Sequence, residues 1–421
     1  MFTTMEACTS FIFQLRGGNQ DVPLVKMRTI LKELGHPEKQ VKFLHFAGSN
    51  GKGSTLNATR EILMAHGQTV GAFISPHLER VNERITINKQ EIANDLFLLY
   101  MNNIVEIVEH NLDGQYPHFF EIMTLIALQH FAHEKVDIAV LEVGMGGRLD
   151  ATNVVQPEVS VITTISLEHT NMLGDTHEQI AFEKAGIVKK QVPVVVGVQH
   201  PEALRVIVHV AHQQQAPLHQ LDQHFWTKKQ GNSFDFTSDD FTIEQLTLAM
   251  AGEHQIRNAA LAIKTCEIYM RQLEPAIVRQ ALTQAKWRGR FERFGYQIIL
   301  DGAHNVEGTV ALLETLQREE PHRNYVFLYA ALADKNHCMS IQFMDEVATA
   351  LYFTAIDDPR AATAQSLFVQ SQHANKHIVP HWQPFMKTKI SQLADNEVLV
   401  VTGSLYFIGQ VRTWLGKEGD I

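Results

Sequence analysis

The sequence is poor in cysteine and has no long apolar run, and each shortage excludes a class of protein. The three cysteines, Cys8, Cys266 and Cys338, lie far apart and form no CxxC pair. This argues against a disulfide framework or a zinc knuckle and favours the reducing cytoplasm. No stretch approaches the ~20 apolar residues of a membrane-spanning helix, and the amino terminus lacks the basic and apolar regions of a signal peptide. We therefore expect a cytoplasmic protein with no membrane partner.

Excess positive charge is also absent. The 421 residues carry a formal net charge of −10, so a nucleic-acid partner is not favoured electrostatically. Hydrophobic residues make up 45% of the chain and charged residues 19%. This composition is typical of a globular protein, and the length suits two or three domains.

The segment from Val41 to Thr55 contains the strongest motif. An apolar strand runs into a turn with glycines around Lys52, and we expect a helix to begin at Ser54 or Thr55. Glycine lets backbone N–H groups approach a phosphate, a helix N-terminus attracts the anion, and lysine adds a mobile positive charge. Gly53 separates Lys52 from Ser54, which departs from the general phosphate-loop pattern. The order of strand, glycines, lysine and hydroxyls still favours a nucleotide-binding loop over an ordinary strand-to-helix turn.

Strands alternate with helices through most of the chain, which predicts parallel sheets. Residues 1–40 are predicted to be mainly helical with a loop at 17–20, and residues 200–250 to form a small β excursion. A second, smaller α/β unit follows, without the Gly-x-Gly-x-x-Gly fingerprint of NAD binding. We expect an α/β protein with 1–289 as its first domain and 290–421 as its second.

Two strand ends carry side chains suited to a nucleotide site. Glu142 lies at the end of the buried run 136–143, where nucleotide-binding sheets place a magnesium carboxylate; a capping glutamate is the alternative. His169 follows the strand predicted at 158–165, although a lone histidine there is more often structural. Lys184 lies on a predicted helix, where lysine is usually solvated. The residues alone leave these roles open.

Nine motifs in order resemble the folate branch of the Mur ligase superfamily, the folylpolyglutamate synthases and dihydrofolate synthases. They are GSNGKGST (48–55), SPHLERVNERI (75–85), LEVGMGGRLDATN (141–153), SLEHTNMLGDT (166–176), AFEKAGIVK (181–189), HQIRNAALA (254–262), DGAHN (301–305), LADK (332–335) and VTGSLYFIGQVR (401–412). One motif is a weak signal, but the ordered set is specific. Three positions depart from the usual family pattern: Ser49 replaces threonine, Glu168 replaces aspartate, and Arg288 replaces proline.

The resemblance implies a fold and a reaction. The fold would be an N-terminal P-loop-type Mur-ligase ATPase domain with a mostly parallel sheet, plus a smaller C-terminal Rossmann-like α/β domain for glutamate ligation. The reaction would convert the γ-carboxyl of a reduced folate into an acyl phosphate with ATP. The amine of L-glutamate would then displace phosphate and form an amide. The alternatives are dihydropteroate as the acceptor, in a dihydrofolate synthase, or a bifunctional enzyme. The family implies a monomer.

The resemblance also implies roles for individual residues. The ATP-binding set would be Asn50, Gly51, Lys52, Gly53, Ser54, Thr55, Asn258, Arg290 and Asp301. The catalytic set would be Lys52, Glu142, His169, Lys184, Asp301 and His304, with His304 as an acid or base toward the amine. Two magnesium ions are implied, one on Ser75 and Glu142 and a second on His169. Lys184 would be carbamylated to N6-carboxylysine, which turns a cation into a metal ligand. Arg84 is the candidate for binding the folate tail, and a solvated arginine is the alternative.

Other functions compete with this hypothesis. A peptidoglycan Mur ligase would act on a UDP-linked peptide, but the motifs at 75–85 and 301–305 follow the folate branch. A catalytically inactive nucleotide-binding module would be expected to have lost one of the catalytic residues, and all are present. A P-loop kinase would need a hydroxyl acceptor. ATP consumption that depends on L-glutamate would therefore exclude a kinase.

Overall fold

The computed structural model describes residues 1–15, 24–333 and 337–418. The chain divides into two compact units, Met1–Leu248 with Ile256–Ala285 and Ala249–Gln255 with Lys286–Ile421. The loop predicted at 17–20 and half of the motif at 332–335, residues 334 and 335, lie outside the described residues. Within the described ranges, no helix combines the length and apolar character needed to cross a membrane.

Eight strands form the large sheet of the first unit. They are β1 (Phe43–Ala47), β2 (Val70–Phe73), β3 (Ile85–Ile87), β4 (Gln90–Glu91), β5 (Ile138–Glu142), β6 (Val159–Ile162), β7 (Val194–Val196) and β8 (Leu218–Gln220). Their order is β4-β3-β2-β5-β1-β6-β7-β8. All neighbours pair in parallel except at the β2-β3-β4 edge, which is antiparallel. The mostly parallel sheet confirms the predicted α/β class.

Helices supply the cores on the two faces of this sheet. They are α1 (Met5–Gln14), α2 (Val25–Glu33), α3 (Lys52–Ala65), α4 (Asn94–Asn111), α5 (Phe119–His133), α6 (Thr170–Leu173), α7 (His177–Ala185), α8 (Pro201–Gln213), α9 (Glu253–Met270) and α10 (Pro275–Gln284). Alternate residues of β1 point to opposite faces. Phe43 joins the cluster of α4 and α5, whereas Leu44 and Phe46 join that of α3 and α9. Because β1 is buried on both faces, its carboxyl end is held firmly in place.

The segment 200–250 is only partly a β excursion. As predicted, β9 (Phe225–Gln230), β10 (Ser233–Ser238) and β11 (Thr242–Leu246) form a three-stranded antiparallel sheet. Helix α8, which we did not predict, precedes them. Its buried residues Ala203, Ile207 and Ala211 recur every fourth position, so the apolar spacing was present but diluted by glutamine and histidine.

The second unit contains a six-stranded sheet. Its strands are β12 (Glu292–Phe294), β13 (Ile298–Leu300), β14 (Asn324–Tyr329), β15 (Ala348–Phe353), β16 (Lys376–Ile378) and β17 (Glu397–Thr402), in the order β12-β13-β17-β14-β15-β16. Its helices are α11 (Val306–Glu319), α12 (Cys338–Val347), α13 (Ala364–Phe368), α14 (Trp382–Gln392) and α15 (Leu405–Glu418). Among the described strands of this sheet, only β12 pairs antiparallel. The smaller α/β unit is therefore confirmed, although β12, α12, α13 and α14 were not predicted.

Candidate functional site

The phosphate loop, residues 48–51, joins β1 to α3 by a turn that requires glycine. Gly48 has a φ of 146°, and a Cβ there would lie 1.9 Å from Thr163 Oγ1. Gly51 has a φ of 88°, and a Cβ there would lie 2.5 Å from Asn258 Oδ1. The left-handed Gly51 caps α3, which begins at Lys52. The predicted helix start at Ser54 or Thr55 was therefore wrong by two to three residues.

Lys52 lies over its own loop at the start of α3. Its Nζ donates to the carbonyl oxygens of Gly48 at 2.7 Å and Ser49 at 3.2 Å. The first N–H groups of a helix have no partner within the helix, and here they belong to the first turn that also contains buried Ser54 and Thr55. Ammonium, helix dipole and N–H groups together form an anion-binding site suited to phosphate.

The segment that follows β6 holds the phosphate loop, a role that sequence reasoning missed. Thr163 and Thr164 both donate their hydroxyl hydrogens to the carbonyl oxygen of Asn50, at 2.6 and 3.1 Å. Thr164 Oγ1 also accepts from the Asn50 N–H at 2.9 Å. Ser49 Oγ accepts from the Ser166 N–H at 2.9 Å. Since serine keeps this hydroxyl contact, the departure from threonine at position 49 is mild.

Glu142 and Ser75 lie beside the phosphate loop because their strands are neighbours of β1. The last residue of β5 is Glu142, which stands opposite Phe46 of β1 in the parallel register. The loop after β2 brings the Ser75 N–H to 3.0 Å from Glu142 Oε2. Only 6% of Glu142 is exposed. A buried carboxylate and a serine thus share the carboxyl edge of the sheet with Lys52, as the sequence predicted.

Glu168, His169 and Lys184 form a charged cluster at the end of β6. Lys184 Nζ lies 2.8 Å from Glu168 Oε1, and both side chains are buried. Burial and the Lys52 cation lower the pKa of Lys184, while Glu168 opposes the shift. Burial opposes the ionisation of Glu168, but the Lys184 and Lys52 cations hold the pKa of that carboxyl well below its usual range. His169 caps α6 with a left-handed φ of 49°. Lys52 is therefore electrostatically part of this cluster.

Glycines also place α7, which carries Lys184. A Cβ on Gly147 would lie 2.9 Å from the carbonyl oxygens of Glu183 and Lys184, and one on Gly186 would lie 2.4 Å from Arg148 Cα. An ion pair of 2.9 Å joins Arg148 to Glu183. The loop after β5 therefore packs directly against the last turn of α7, which fixes the depth at which Lys184 is buried.

The side chains present fit the predicted magnesium position at Ser75 and Glu142 better than the second one, at His169. Magnesium prefers oxygen ligands and usually takes several from substrate phosphates. The Glu142 carboxylate and the Ser75 hydroxyl are suitable. Lys184 is committed to Glu168 as an ammonium, which donates hydrogen bonds and cannot ligate. Among the residues that the structure describes, no group of three or more His, Cys, Asp or Glu could hold a metal. A bound ion would therefore need phosphate oxygens as further ligands.

Arg84 is buried, although a solvated arginine was the alternative reading of the sequence. Only 3% of the residue is exposed, so that alternative is wrong. Its guanidinium carbon lies 5.1 Å from the ring centre of Phe119, and Nε donates to His77 Nδ1 at 2.8 Å. Its role toward the folate tail stays a prediction.

The remaining predicted residues fall into two groups. In the first unit, Asn258 on α9 lies against the phosphate loop, and Thr55 Oγ1 donates to its Oδ1 at 3.4 Å. In the second unit, Asp301 follows β13 and accepts from the N–H groups of Phe291 and Ala303 at 2.8 and 2.9 Å. Burial raises the pKa of Asp301, and the Arg290 cation opposes the shift.

Arg290 and His304 lie close to Asp301 in the same loop cluster. A Cβ on Gly302 would lie 2.5 Å from Arg290 Nη1. His304 Nδ1 lies 2.8 Å from the carbonyl oxygen of Gly302, which orients the imidazole. The structure thus gathers the three predicted residues of the second unit at the carboxyl end of one strand.

Comparisons with known proteins identify two matching domain models. The Mur ligase middle domain model matches residues 46–266, and the Mur ligase, glutamate ligase domain model matches residues 289–405. The dihydrofolate synthase/folylpolyglutamate synthase of Bacillus subtilis is 37% identical over 427 residues, which covers 98% of this chain and 99% of that protein. The folylpolyglutamate synthase of Lacticaseibacillus casei is 33% identical over 411 residues, covering 93% and 94% of the two chains.

Solved structures share the fold over the whole chain. Escherichia coli FolC in complex with DHPP and ADP matches with a TM-score of 0.92 and 27% identity, covering 99% of both chains. Mycobacterium tuberculosis folylpolyglutamate synthase complexed with ADP matches with a TM-score of 0.90 and 27% identity, covering 98% of both chains. Near full-length similarity and the phosphate loop support ATP as a co-substrate. The chain belongs to the folylpolyglutamate synthase/dihydrofolate synthase family of Mur ligases and is an ATP-dependent ligase.

Proposed function

We propose that the chain joins L-glutamate to the γ-carboxyl of a reduced folate through an acyl phosphate. A carboxylate oxygen attacks the γ-phosphorus of ATP and ADP leaves. The glutamate amine then attacks the acyl carbon, loses a proton, and the carbon–oxygen bond to phosphate breaks. The products are the amide, ADP and phosphate, so the activated carboxyl loses one oxygen to phosphate.

The observation that carries this proposal is the convergence of phosphate-binding and acidic groups at the carboxyl edge of the large sheet. Lys52 follows β1, Ser75 follows β2, Glu142 ends β5, and Glu168 follows β6. Phosphoryl transfer spreads negative charge over the transferred group, so catalysis depends on cations and N–H groups placed around it. Lys52 and the first turn of α3 supply these groups.

Magnesium is the cofactor that this edge would hold, with Ser75 and Glu142 as its protein ligands. When bound, the ion would neutralise phosphate charge. The Ser75 N–H bond of 3.0 Å fixes Glu142 Oε2, so the carboxylate is oriented before any ligand arrives. His169 is our candidate for a second ion.

Carbamylation of Lys184 belongs to the same proposal. The pair of 2.8 Å between Lys184 and Glu168 is the geometry of an unmodified ammonium. A carbamate at Lys184 would face Glu168 with a like charge, which costs free energy unless a cation lies between them. We therefore expect carbamate and the second magnesium to bind together rather than separately.

The acceptor has a second candidate, dihydropteroate. The Bacillus subtilis relative carries both activities in its name, as does the Escherichia coli relative at 31% identity, whereas the Lacticaseibacillus casei relative is named for polyglutamylation alone. The Bacillus subtilis relative favours the bifunctional alternative.

We further propose that 1–289 binds ATP, that 290–421 supports glutamate ligation, and that the enzyme acts as a cytoplasmic monomer.

The second unit would orient the incoming glutamate and the nucleotide. Asp301 is suited to ribose hydroxyls and Arg290 to phosphate. His304, held by its contact with Gly302, would accept or donate the proton of the amine. Arg84 is our candidate for the folate tail.

The test is ADP release with ATP and magnesium, measured with and without L-glutamate. It is run in parallel on dihydropteroate and on reduced monoglutamyl folate. Activity on both acceptors identifies the bifunctional enzyme, and activity on one identifies a single synthase. If neither acceptor supports glutamate-dependent release, the substrate assignment is wrong, and UDP-linked muramyl acceptors should be tested next.

A Lys52→Ala variant is the matched control for this assay. The Lys52 ammonium contacts only carbonyl groups of its loop in the hydrogen bonds given above, so its loss should abolish ADP release with little change in unfolding free energy. A Lys52→Ala protein that releases ADP normally would contradict the role of the phosphate loop.

A further inference from the structure

A basic pocket lies at the other edge of the large sheet from the phosphate loop. It is a cavity of ≈ 410 Å³ between α2, the turn before β1 and the segments before β6 and β7. Its lining includes Arg28, His36, Glu38 and Lys189. Cavities of this size are typical of small-molecule sites. None of the catalytic or ATP-binding residues proposed above lines it.

The strand direction separates this basic pocket from the catalytic edge. His36 and Glu38 precede β1, and Lys189 precedes β7, whereas the phosphate loop follows β1. A strand of this length spans roughly 16 Å. A ligand in the basic pocket would therefore not be a substrate of the site described above.

The pocket is rich in basic side chains, although the chain as a whole is acidic. The protein has a net charge of −10, yet this cavity has three basic side chains and one acidic one. One oxygen of the acidic group is engaged, because Glu38 Oε1 lies 2.7 Å from His36 Nδ1, whereas Glu38 Oε2 is buried without a hydrogen-bond partner among the described residues. Neither Arg28 nor Lys189 forms an ion pair with any carboxylate that the structure describes. Two cations are thus left to face the cavity.

Lys189 is held at the wall of the cavity rather than extended into water. Its Nζ donates to the carbonyl oxygen of Asn153 at 3.3 Å, and the side chain is half-buried. Burial lowers the pKa of Lys189, and the nearby Arg28 cation lowers it further. An anion between Lys189 and Arg28 would offset both the burial of the ammonium charge and its repulsion by the guanidinium. Arg28, by contrast, lines the cavity but is exposed.

Apolar residues complete the wall and limit the class of ligand. Val154 is half-buried and lines the cavity beside the charged groups, with the buried Leu31 and Val155 behind it in the same wall. A bare inorganic ion would contact the cations but leave this apolar surface in water. A small organic molecule with two negative charges would use both. Guanidinium and ammonium groups both form charge-assisted hydrogen bonds with carboxylate and with phosphate oxygens. The two cations therefore do not distinguish a dicarboxylate from a phosphate monoester by charge.

We propose that the basic pocket is a second ligand site, which binds a small organic dianion, either a dicarboxylate or a phosphate monoester, between Arg28 and Lys189. The proposal does not depend on the proposed function, since the pocket shares no residue with the catalytic edge.

Calorimetric titration of the full chain near neutral pH tests this proposal. The probes are succinate for the dicarboxylate and glycerol 3-phosphate for the monoester, with succinamide as a neutral control and inorganic phosphate as the headgroup alone. We expect one organic dianion to bind and succinamide not to bind. Loss of a charge-assisted contact should weaken that binding about tenfold or more in Arg28→Gln and in Lys189→Gln.

Two further variants separate the pocket from other sites. Lys190→Gln removes an exposed neighbouring charge and should leave affinity unchanged. Lys52→Ala disables the phosphate loop and should also leave it unchanged. Binding lost only in Lys52→Ala, binding insensitive to both pocket variants, or no binding of either dianion would overturn the proposal. Because Arg28 is exposed, its variant should fold normally, so a loss of binding there cannot be assigned to unfolding.

Discussion

Removal of the Thr164 hydroxyl tests whether the segment after β6 positions the phosphate loop. Thr164 Oγ1 accepts from the Asn50 N–H at 2.9 Å and donates to the Asn50 carbonyl oxygen at 3.1 Å. Valine has nearly the same shape but can do neither. Each such hydrogen bond contributes about 0.5–1.5 kcal/mol net, and a buried donor that loses its acceptor costs about 1–3 kcal/mol.

The loss should fall mainly on nucleotide binding. Thr163 still donates to Asn50 at 2.6 Å and Ser49 Oγ still accepts from the Ser166 N–H at 2.9 Å, so the loop keeps these contacts and the fold should survive. About 1.4 kcal/mol corresponds to a tenfold change in affinity. We therefore expect Thr164→Val to raise the KM for ATP about tenfold and to lower the free energy of unfolding by only about 1 kcal/mol.

Steady-state kinetics and urea unfolding measure the two effects. Thr29→Val is the matched control, because Thr29 is also half-buried and its hydroxyl donates only within α2, to the Val25 carbonyl oxygen at 3.2 Å. Its KM for ATP should not change. If Thr164→Val has the same KM for ATP as Thr29→Val, the segment does not position the loop.

Three further variants test other parts of the structure. Glu142→Gln should steeply raise the magnesium concentration needed for half-maximal ADP release. Glu158→Gln, at an exposed position, is its control, and an equal magnesium requirement in the two variants would show that Glu142 is not a metal ligand. Gly48→Ala should abolish nucleotide binding, measured by equilibrium titration, because the new Cβ would lie 1.9 Å from Thr163 Oγ1. Gly67→Ala should bind nucleotide normally, because Gly67 also has a positive φ, of 83°, but no atom lies within 4 Å of its Cβ position. Equal affinities of the two variants would contradict the steric argument. Burial lowers the pKa of His45 to about 3, and Lys189 lowers it by a smaller amount. As the pH falls, the histidine of the unfolded chain is therefore protonated before that of the folded chain. The free energy of unfolding then decreases once the pH is below the unfolded-state pKa, near 6.5. His45→Gln should therefore flatten the dependence of unfolding free energy on pH between about 6 and 4 by up to about 1.4 kcal/mol per pH unit, while an equal slope in His45→Gln and the exposed-site control His133→Gln would refute this origin.

The fold was predictable where apolar periodicity is undiluted. The buried run that became β5 and the alternation of strands and helices pointed to a parallel sheet. Helix α8 was missed because glutamine and histidine surround its buried Ala203, Ile207 and Ala211. The short strand β12 was missed because only its pairing with β13 defines it, and pairing is not visible in a short local window.

The site was predictable where a motif ends a strand. Lys52 and Glu142 follow or end central strands, and the carboxyl ends of parallel strands meet at one edge. Thr163 and Thr164 carry no such signal, since hydroxyls after a strand are common. Their role follows from the pairing of β6 with β1. The pair of Glu168 with Lys184 joins positions 16 residues apart, a contact that depends on how α7 packs.

The most direct test of the central claim follows oxygen from the acceptor carboxyl into phosphate. The acceptor found active is labelled with ¹⁸O in the reacting carboxyl group and converted with ATP and L-glutamate, and the released phosphate is analysed by mass spectrometry. Activation through an acyl phosphate predicts one ¹⁸O atom per phosphate for each amide formed. Amide formation accompanied by unlabelled phosphate would contradict the mechanism.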